Sequence, residues 1–186
     1  MVIDVAVWKV RPVSQEPTVT NKETFFGDNE IIVSKTDLKG HITYANDVFL
    51  DIAGYTESEV LGKPHNIIRH PYMPRCIYKL LWETIAAGDE IFGYIMNRCK
   101  NGDHYWVLAH VTPSRNDAGE IVGYHSNRRV PSRKILDETI LPLYEQLRRK
   151  EGSFDNRKDG MNAAFDDITR MLQSKGVAYD EFIARL

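Results

Sequence analysis

The rhythm of apolar and polar positions changes several times along this chain. Residues 1 to about 24 show no period; with Pro12, Pro17 and many polar residues they read as an irregular arm. Glu30–Lys35 (EIIVSK) is a β-branched run closed by the turn residues Thr36-Asp37-Leu38-Lys39-Gly40. His41–Tyr44 (HITY) then alternates, so the two runs predict a hairpin. The spacing next turns helical. Val48, Phe49, Ile52 and Ala53 share one face, with Asn46 or Asp47 as the cap and Gly54 as the stop. Glu57–Leu61 predicts a second short piece, ended by Gly62 and Pro64. From Pro74 to Ala87 a longer helix is expected, with Ile77, Leu80, Leu81 and Ile85 as its stripe and Gly88 just past its end.

Three strand-like runs follow: Ile91–Arg98, His104–Thr112 and Ile121–Arg128. Their joints, Lys100-Asn101-Gly102-Asp103 and Asn116-Asp117-Ala118-Gly119, carry hairpin turn chemistry. Strands and helices are segregated, which predicts an α+β domain: an antiparallel sheet with one face covered by helices. Beyond Pro131 the chain is helix-prone. Lys134–Arg149 carries Ile135, Leu136, Ile140, Leu143 and Leu147 in a stripe, with Pro142 expected to start or kink a segment. After a break at Gly152-Ser153, Met161–Gln173 aligns Ala164, Phe165, Ile168 and Leu172, and Tyr179–Ile183 predicts a short last helix. These helices either fold back on the domain or offer an interface to a partner.

Composition narrows the function classes. The 186 residues are 42% hydrophobic and 27% charged, with room for one domain and an appendage. A formal charge of −2 predicts neither nucleic acid nor an anionic membrane as partner. MVIDVAVWKV is too short and too soon charged for a signal peptide, and no apolar run has transmembrane length. Cys76 and Cys99 are the two cysteines, a count that frames neither disulfides nor zinc and fits a cytoplasmic location. Nucleophile-elbow, P-loop and dinucleotide glycine motifs are missing, as is a His-x-x-x-His pair, so a non-enzymatic role with no metal site is expected.

Three stretches resemble the PAS domains of bacterial aerotaxis and energy-taxis receptors. They are Ile42-Thr43-Tyr44-Ala45-Asn46-Asp47, the block from Gly62 to Pro71 (GKPHNIIRHP), and the block from Asn97 to Val107 (NRCKNGDHYWV). The match covers a little over half the chain. It implies a PAS fold with a five-stranded antiparallel sheet, helices on one face and additional C-terminal helices. The implied division is an N-terminal arm over residues 1–24, a sensor domain over 25–131 and a helical extension over 132–186. The implied cofactor is FAD, held noncovalently between the central helices and the inner face of the sheet. On that resemblance Arg69 is expected to pair with the pyrophosphate through its forked donors, with bracing of the adjoining helix or a surface salt bridge as its other readings. His70 and Asn66 are expected to donate to ring or ribityl oxygens and Trp82 to stack on the ring; a structural histidine and core packing are the other readings of His70 and Trp82. Asn97 presents both donor and acceptor to the flavin edge. Asn46 opens the first helix near the pocket, with capping as its other reading; Trp106 is a further aromatic candidate, with core packing as its other reading.

The chain departs from the pattern at two positions. Tyr72 replaces an aspartate in the usual Arg-His-Pro-Asp-Met-Pro run, and Phe92 replaces a tryptophan. Both are expected close to the pocket. A haem b gas sensor on the same fold is an alternative, with His65 and His70 as candidate axial ligands. A light-oxygen-voltage photosensor would need a cysteine in the Gly62–Arg69 block, where this chain has none. A ligand-free PAS dimerisation or docking module is the other alternative. With no kinase, cyclase or taxis-signalling domain in the sequence, the resemblance implies a detached cytoplasmic sensor. It would signal to a separate chemotaxis-type transducer, and homodimerise through the arm or the C-terminal helices.

Overall fold

The computed structural model describes residues 18–186, so most of the arm expected over residues 1–24 lies outside the described residues. β1 (Ile32–Thr36) and β2 (Ile42–Ala45) form the expected hairpin. Its turn is held by the Asp37 Oδ1 atom, which accepts from the N–H groups of Lys39 and His41. The turn ends on Gly40 at φ +80°, a conformation glycine reaches without steric cost. α1 (Asp47–Ala53) starts on Asn46, whose Oδ1 accepts from the Phe49 N–H, and stops on Gly54 in the left-handed conformation. α2 (Glu57–Val60) and a 3-10 turn over His65–Ile68 lead to α3 (Arg75–Ala87).

β3 (Ile91–Arg98), β4 (His104–Arg115) and β5 (Ile121–Arg129) complete one antiparallel sheet of order β2-β1-β5-β4-β3. The expected α+β architecture with five strands is therefore present. β4 runs past the expected end at Thr112, straight through Pro113. β3 begins opposite Val111, so at Pro113 the strand has a neighbour on one side only and tolerates a missing N–H. α1 to α3 cover the inner face of the sheet, where Ile32, Phe49, Ala53 and Val107 are fully buried.

After β5 the chain is helical throughout. α4 (Arg133–Ile135) passes through one π-helical turn (Leu136–Ile140) into α5 (Leu141–Gly152). Pro142 thus sits in the first turn of α5, and the widened turn ahead of it absorbs the break the sequence predicts. α6 (Arg157–Lys175) begins earlier than Met161, because Asn156 caps it by accepting from the N–H groups of Lys158 and Asp159. α7 (Tyr179–Ala184) is the last element. These helices fold back on the domain. The Tyr144 hydroxyl donates to the Tyr94 carbonyl on edge strand β3 and lies 3.0 Å from the Tyr179 hydroxyl, which blunts that open edge. No helix among the described residues is long and apolar enough to cross a membrane.

Candidate functional site

A cavity of about 310 Å³ lies between α3, the 3-10 turn and the inner face of the sheet. That is near the lower end of small-molecule sites, which span roughly 300–1,000 Å³. α3 contributes Tyr78, Leu81, Trp82 and Ile85, one helical stripe at i, i+3, i+4 and i+7. Strand alternation supplies the opposite wall: Ile95 and Asn97 from β3, Ala109 and Val111 from β4, Ser126 and Arg128 from β5. The hairpin turn closes one side. A Cβ on Gly40 would stand 2.9 Å from the Trp82 ring, so only glycine lets the turn and the indole meet this closely.

The polar end of the cavity has an uneven balance of donors and acceptors. Arg128, 3% exposed, donates through Nη2 to Ser34 Oγ at 2.9 Å and to His65 Nε2 at 2.8 Å. A guanidinium only donates, so His65 accepts at Nε2 and its neutral ring carries the proton on Nδ1. Burial, with the Arg128 and Arg69 charges beside it, pushes the His65 pKa down to about 3. Arg69 lies over the Tyr78 ring at 3.8 Å. Burial raises the Tyr78 phenol to about 12 against the opposing Arg69 and Arg128 charges, so it stays neutral.

Arg69 Nε, Asn97 Nδ2 and Arg128 Nη1 are buried and have no hydrogen-bond partner among the described residues. All three are donors; the Thr36 hydroxyl, also buried, unpartnered and on the cavity wall, can donate or accept. Lys39, Arg69 and Arg128 line the cavity, and no aspartate or glutamate does among the described residues. Buried polar groups are normally paired, so this wall is built for acceptor oxygens or a negative charge.

Of the seven expected site residues, four line this cavity: Asn66, Arg69, Trp82 and Asn97. The other three do not. Asn46 is consumed as a cap; its Oδ1 accepts from Val33 and Phe49, and its Nδ2 donates to the Ile31 carbonyl. Arg69 pairs with Asn97 along the edge of β3 in extended conformation, which sends the next residue, His70, to the opposite side. There its ring packs 5.5 Å from His104, and its Nδ1 accepts from the Tyr72 N–H. Trp106 lies on the outward phase of β4, paired with Met96 and facing Tyr144 of α5.

Both departures from the receptor pattern also fall outside the cavity. Tyr72 is 39% exposed beneath Arg148, and Phe92 stacks on His110 at 4.1 Å. Neither Cys76 nor Cys99 lines the cavity. Ser34, Tyr78, Ser126 and Arg128 line it without having been singled out from the sequence. Tyr78 stands one helical turn before Trp82, and Ser126 and Arg128 share a strand phase. Those two spacings were the available signals.

Comparison with known proteins agrees with this geometry. Residues 42–128 match the family described as PAS fold. Over 137 residues the chain is 42% identical to the aerotaxis receptor of Escherichia coli (strain K12), which covers 72% of this chain and 26% of that receptor. It is 30% identical over 99 residues to a nitrogen fixation regulatory protein of Klebsiella pneumoniae, covering 53% of this chain and 20% of that protein. This chain thus spans about a quarter or less of the length of these curated relatives. The light-state structure of the blue-light photoreceptor Aureochrome1 LOV superposes with a TM-score of 0.52 at 27% identity, over 62% of this chain and 90% of that one.

Proposed function

Because residues 42–128 of this chain belong to the PAS fold family, we propose that the domain is a redox sensor that binds FAD noncovalently. The observation that carries this reading is the donor-rich wall: Lys39, Arg69 and Arg128, with unpartnered N–H groups on Arg69, Arg128 and Asn97, opposite a stripe that includes Tyr78 and Trp82 and with no carboxylate. An isoalloxazine ring combines an apolar face with a carbonyl-rich edge, which suits Trp82 on one side and Asn97 Nδ2 and Arg128 Nη1 on the other. Lys39 and Arg69 would meet the phosphates, and Asn66, exposed beside them, would hydrogen-bond the sugar chain.

A bound flavin supplies reversible electron acceptance. This chain's part is electrostatic: Arg69 and Arg128 favour negative charge at the polar end, and neutral His65 holds the Arg128 fork in place. No thiol reaches the cavity, so no cysteine adduct with a flavin can form there. Cys99 donates to the Ile52 carbonyl, and burial pushes its pKa up to about 11. Haem b fits less well. His70 lies outside the cavity, and the two histidines on its wall have engaged Nε2 atoms, His65 with Arg128 and His125 with Asn127.

The sensor domain is assigned residues 25–131 and the helical extension 132–186. The similarity to an aerotaxis receptor supports a cytoplasmic, non-enzymatic role that signals to a chemotaxis-type transducer; homodimerisation belongs to the same proposal. The test is a fluorescence titration of ligand-free protein with FAD, FMN and riboflavin. FAD is expected to bind at least about tenfold more tightly than riboflavin, since each charge-assisted hydrogen bond is worth roughly 1.5–3 kcal/mol. Equal affinity for all three, or affinity for none, would overturn the reading.

A further inference from the structure

The N-terminus of α3 lacks a cap of its own. Pro74 occupies the cap position and offers no side-chain acceptor to the first-turn N–H groups. The acceptor comes instead from Glu151, seventy-five residues further along and 6% exposed. Its Oε1 accepts from the Cys76 N–H at 2.8 Å, and its Oε2 accepts from Arg75 Nε at 3.0 Å.

Glu151 stands at the end of α5 (Leu141–Gly152), where its own helix dipole disfavours a negative charge. At the start of α3 the same charge is favoured. α6 closes over this junction: a Cβ on Gly160 would lie 2.2 Å from the Glu151 carbonyl oxygen, so α6 crosses α5 there only through a glycine. One turn further along α3, Lys79 donates to Asn162 at 3.0 Å and lies 4.1 Å above the Phe165 ring, both of α6.

α3 is thus a two-sided helix. One stripe, with Tyr78 and Trp82, lines the cavity; the other side, with Cys76 and Lys79, is fastened to the C-terminal helices. We propose that Glu151 is a positioning residue for the ligand cavity, and that α5 and α6 read the cavity's state through the placement of α3. The coupling is reciprocal: a ligand that settles α3 also tightens α6, and loosening α6 weakens the ligand. Only the ligand half of this proposal rests on the flavin reading.

The experiment is hydrogen exchange read by mass spectrometry on the full chain, comparing the native protein with Glu151→Ala and Glu151→Gln. In ligand-free protein, Glu151→Ala is expected to speed exchange at the first-turn amides of α3 roughly tenfold, the worth of a lost cap, while β4 and β5 keep theirs. Glu151→Gln keeps an oxygen for the Cys76 N–H and should restore most of the protection. With FAD added, exchange in α6 should slow in the native chain and stay unchanged in Glu151→Ala, whose FAD affinity falls several-fold. Unaltered α3 exchange in Glu151→Ala, or a rise spread evenly over sheet and helices, would overturn the proposal by reducing Glu151 to general stability. If the native chain takes up no FAD, the flavin reading fails, and the ligand-free exchange alone decides the role of Glu151. Should Glu151→Ala not fold, Glu151→Gln decides it, with a two- to threefold rise confined to α3 expected from the lost charge.

Discussion

Arg128 brings a guanidinium into the interior with no carboxylate on the cavity wall to meet it. Its partners are the neutral Ser34 and His65, and burial lowers its pKa although the charge persists. Such a buried cation costs stability, and proteins tend to keep that cost where a ligand repays it. Replacing it separates the two effects. In Arg128→Met, Ser34 and His65 remain 3.0 Å apart and can bond each other. Unfolding free energy without ligand should therefore be unchanged or higher by about 1 kcal/mol in urea denaturation. Flavin affinity should fall tenfold or more by fluorescence titration. A variant that loses stability and keeps its affinity would make Arg128 a structural residue. This position was hard to read from sequence: Ser126 and Arg128 share a strand phase, but alternation alone does not say which phase faces inward.

At the scale of elements, the segment from Pro64 to His70 shows both the reach of the pattern and its limit. The GKPHNIIRHP block marked it as functional, and Asn66 and Arg69 do line the cavity. What the pattern did not show is that Arg69 pairs with the edge of β3, which turns His70 away to His104. The hairpins, α1 and α3 were legible because their caps, turns and stripes are local signals. The widened turn before Pro142 was not, since it answers to packing against the rest of the fold.

This same segment makes the fold sensitive to acid. His65 is held near pKa 3 by burial and by Arg128 and Arg69; His70 is held near 4 by burial and by His104, Arg98 and Arg148. An unfolded histidine takes its proton near pH 6.5, so below that pH the unfolded state binds protons that the native state refuses. Stability should be level above about pH 7. It should fall between about pH 6.5 and 4 by roughly 1.4 kcal/mol per pH unit for each of the two rings. Urea midpoints at pH 8, 7, 6 and 5 check this, and a flat series between 7 and 5 would refute it.

For the molecule as a whole, one sheet serves three contacts. Its inner face walls the cavity with α3, its β3 edge takes Tyr144 of α5, and its outer face carries Trp106 and the Phe92–His110 stack. The sequence could place the C-terminal helices but not choose between an interface and a return to the domain. That choice depends on pairs such as Glu151 with Cys76 and Arg75, far apart in the chain and without a local signature. The departures at Tyr72 and Phe92 carry less weight once both are seen outside the cavity. Whether the cavity holds a flavin is read from an absorption spectrum of the freshly purified protein, with the released cofactor identified by chromatography. A two-banded yellow spectrum that bleaches with dithionite and yields FAD is the predicted result; a single intense Soret band, or a colourless folded protein that takes up no flavin, would contradict it.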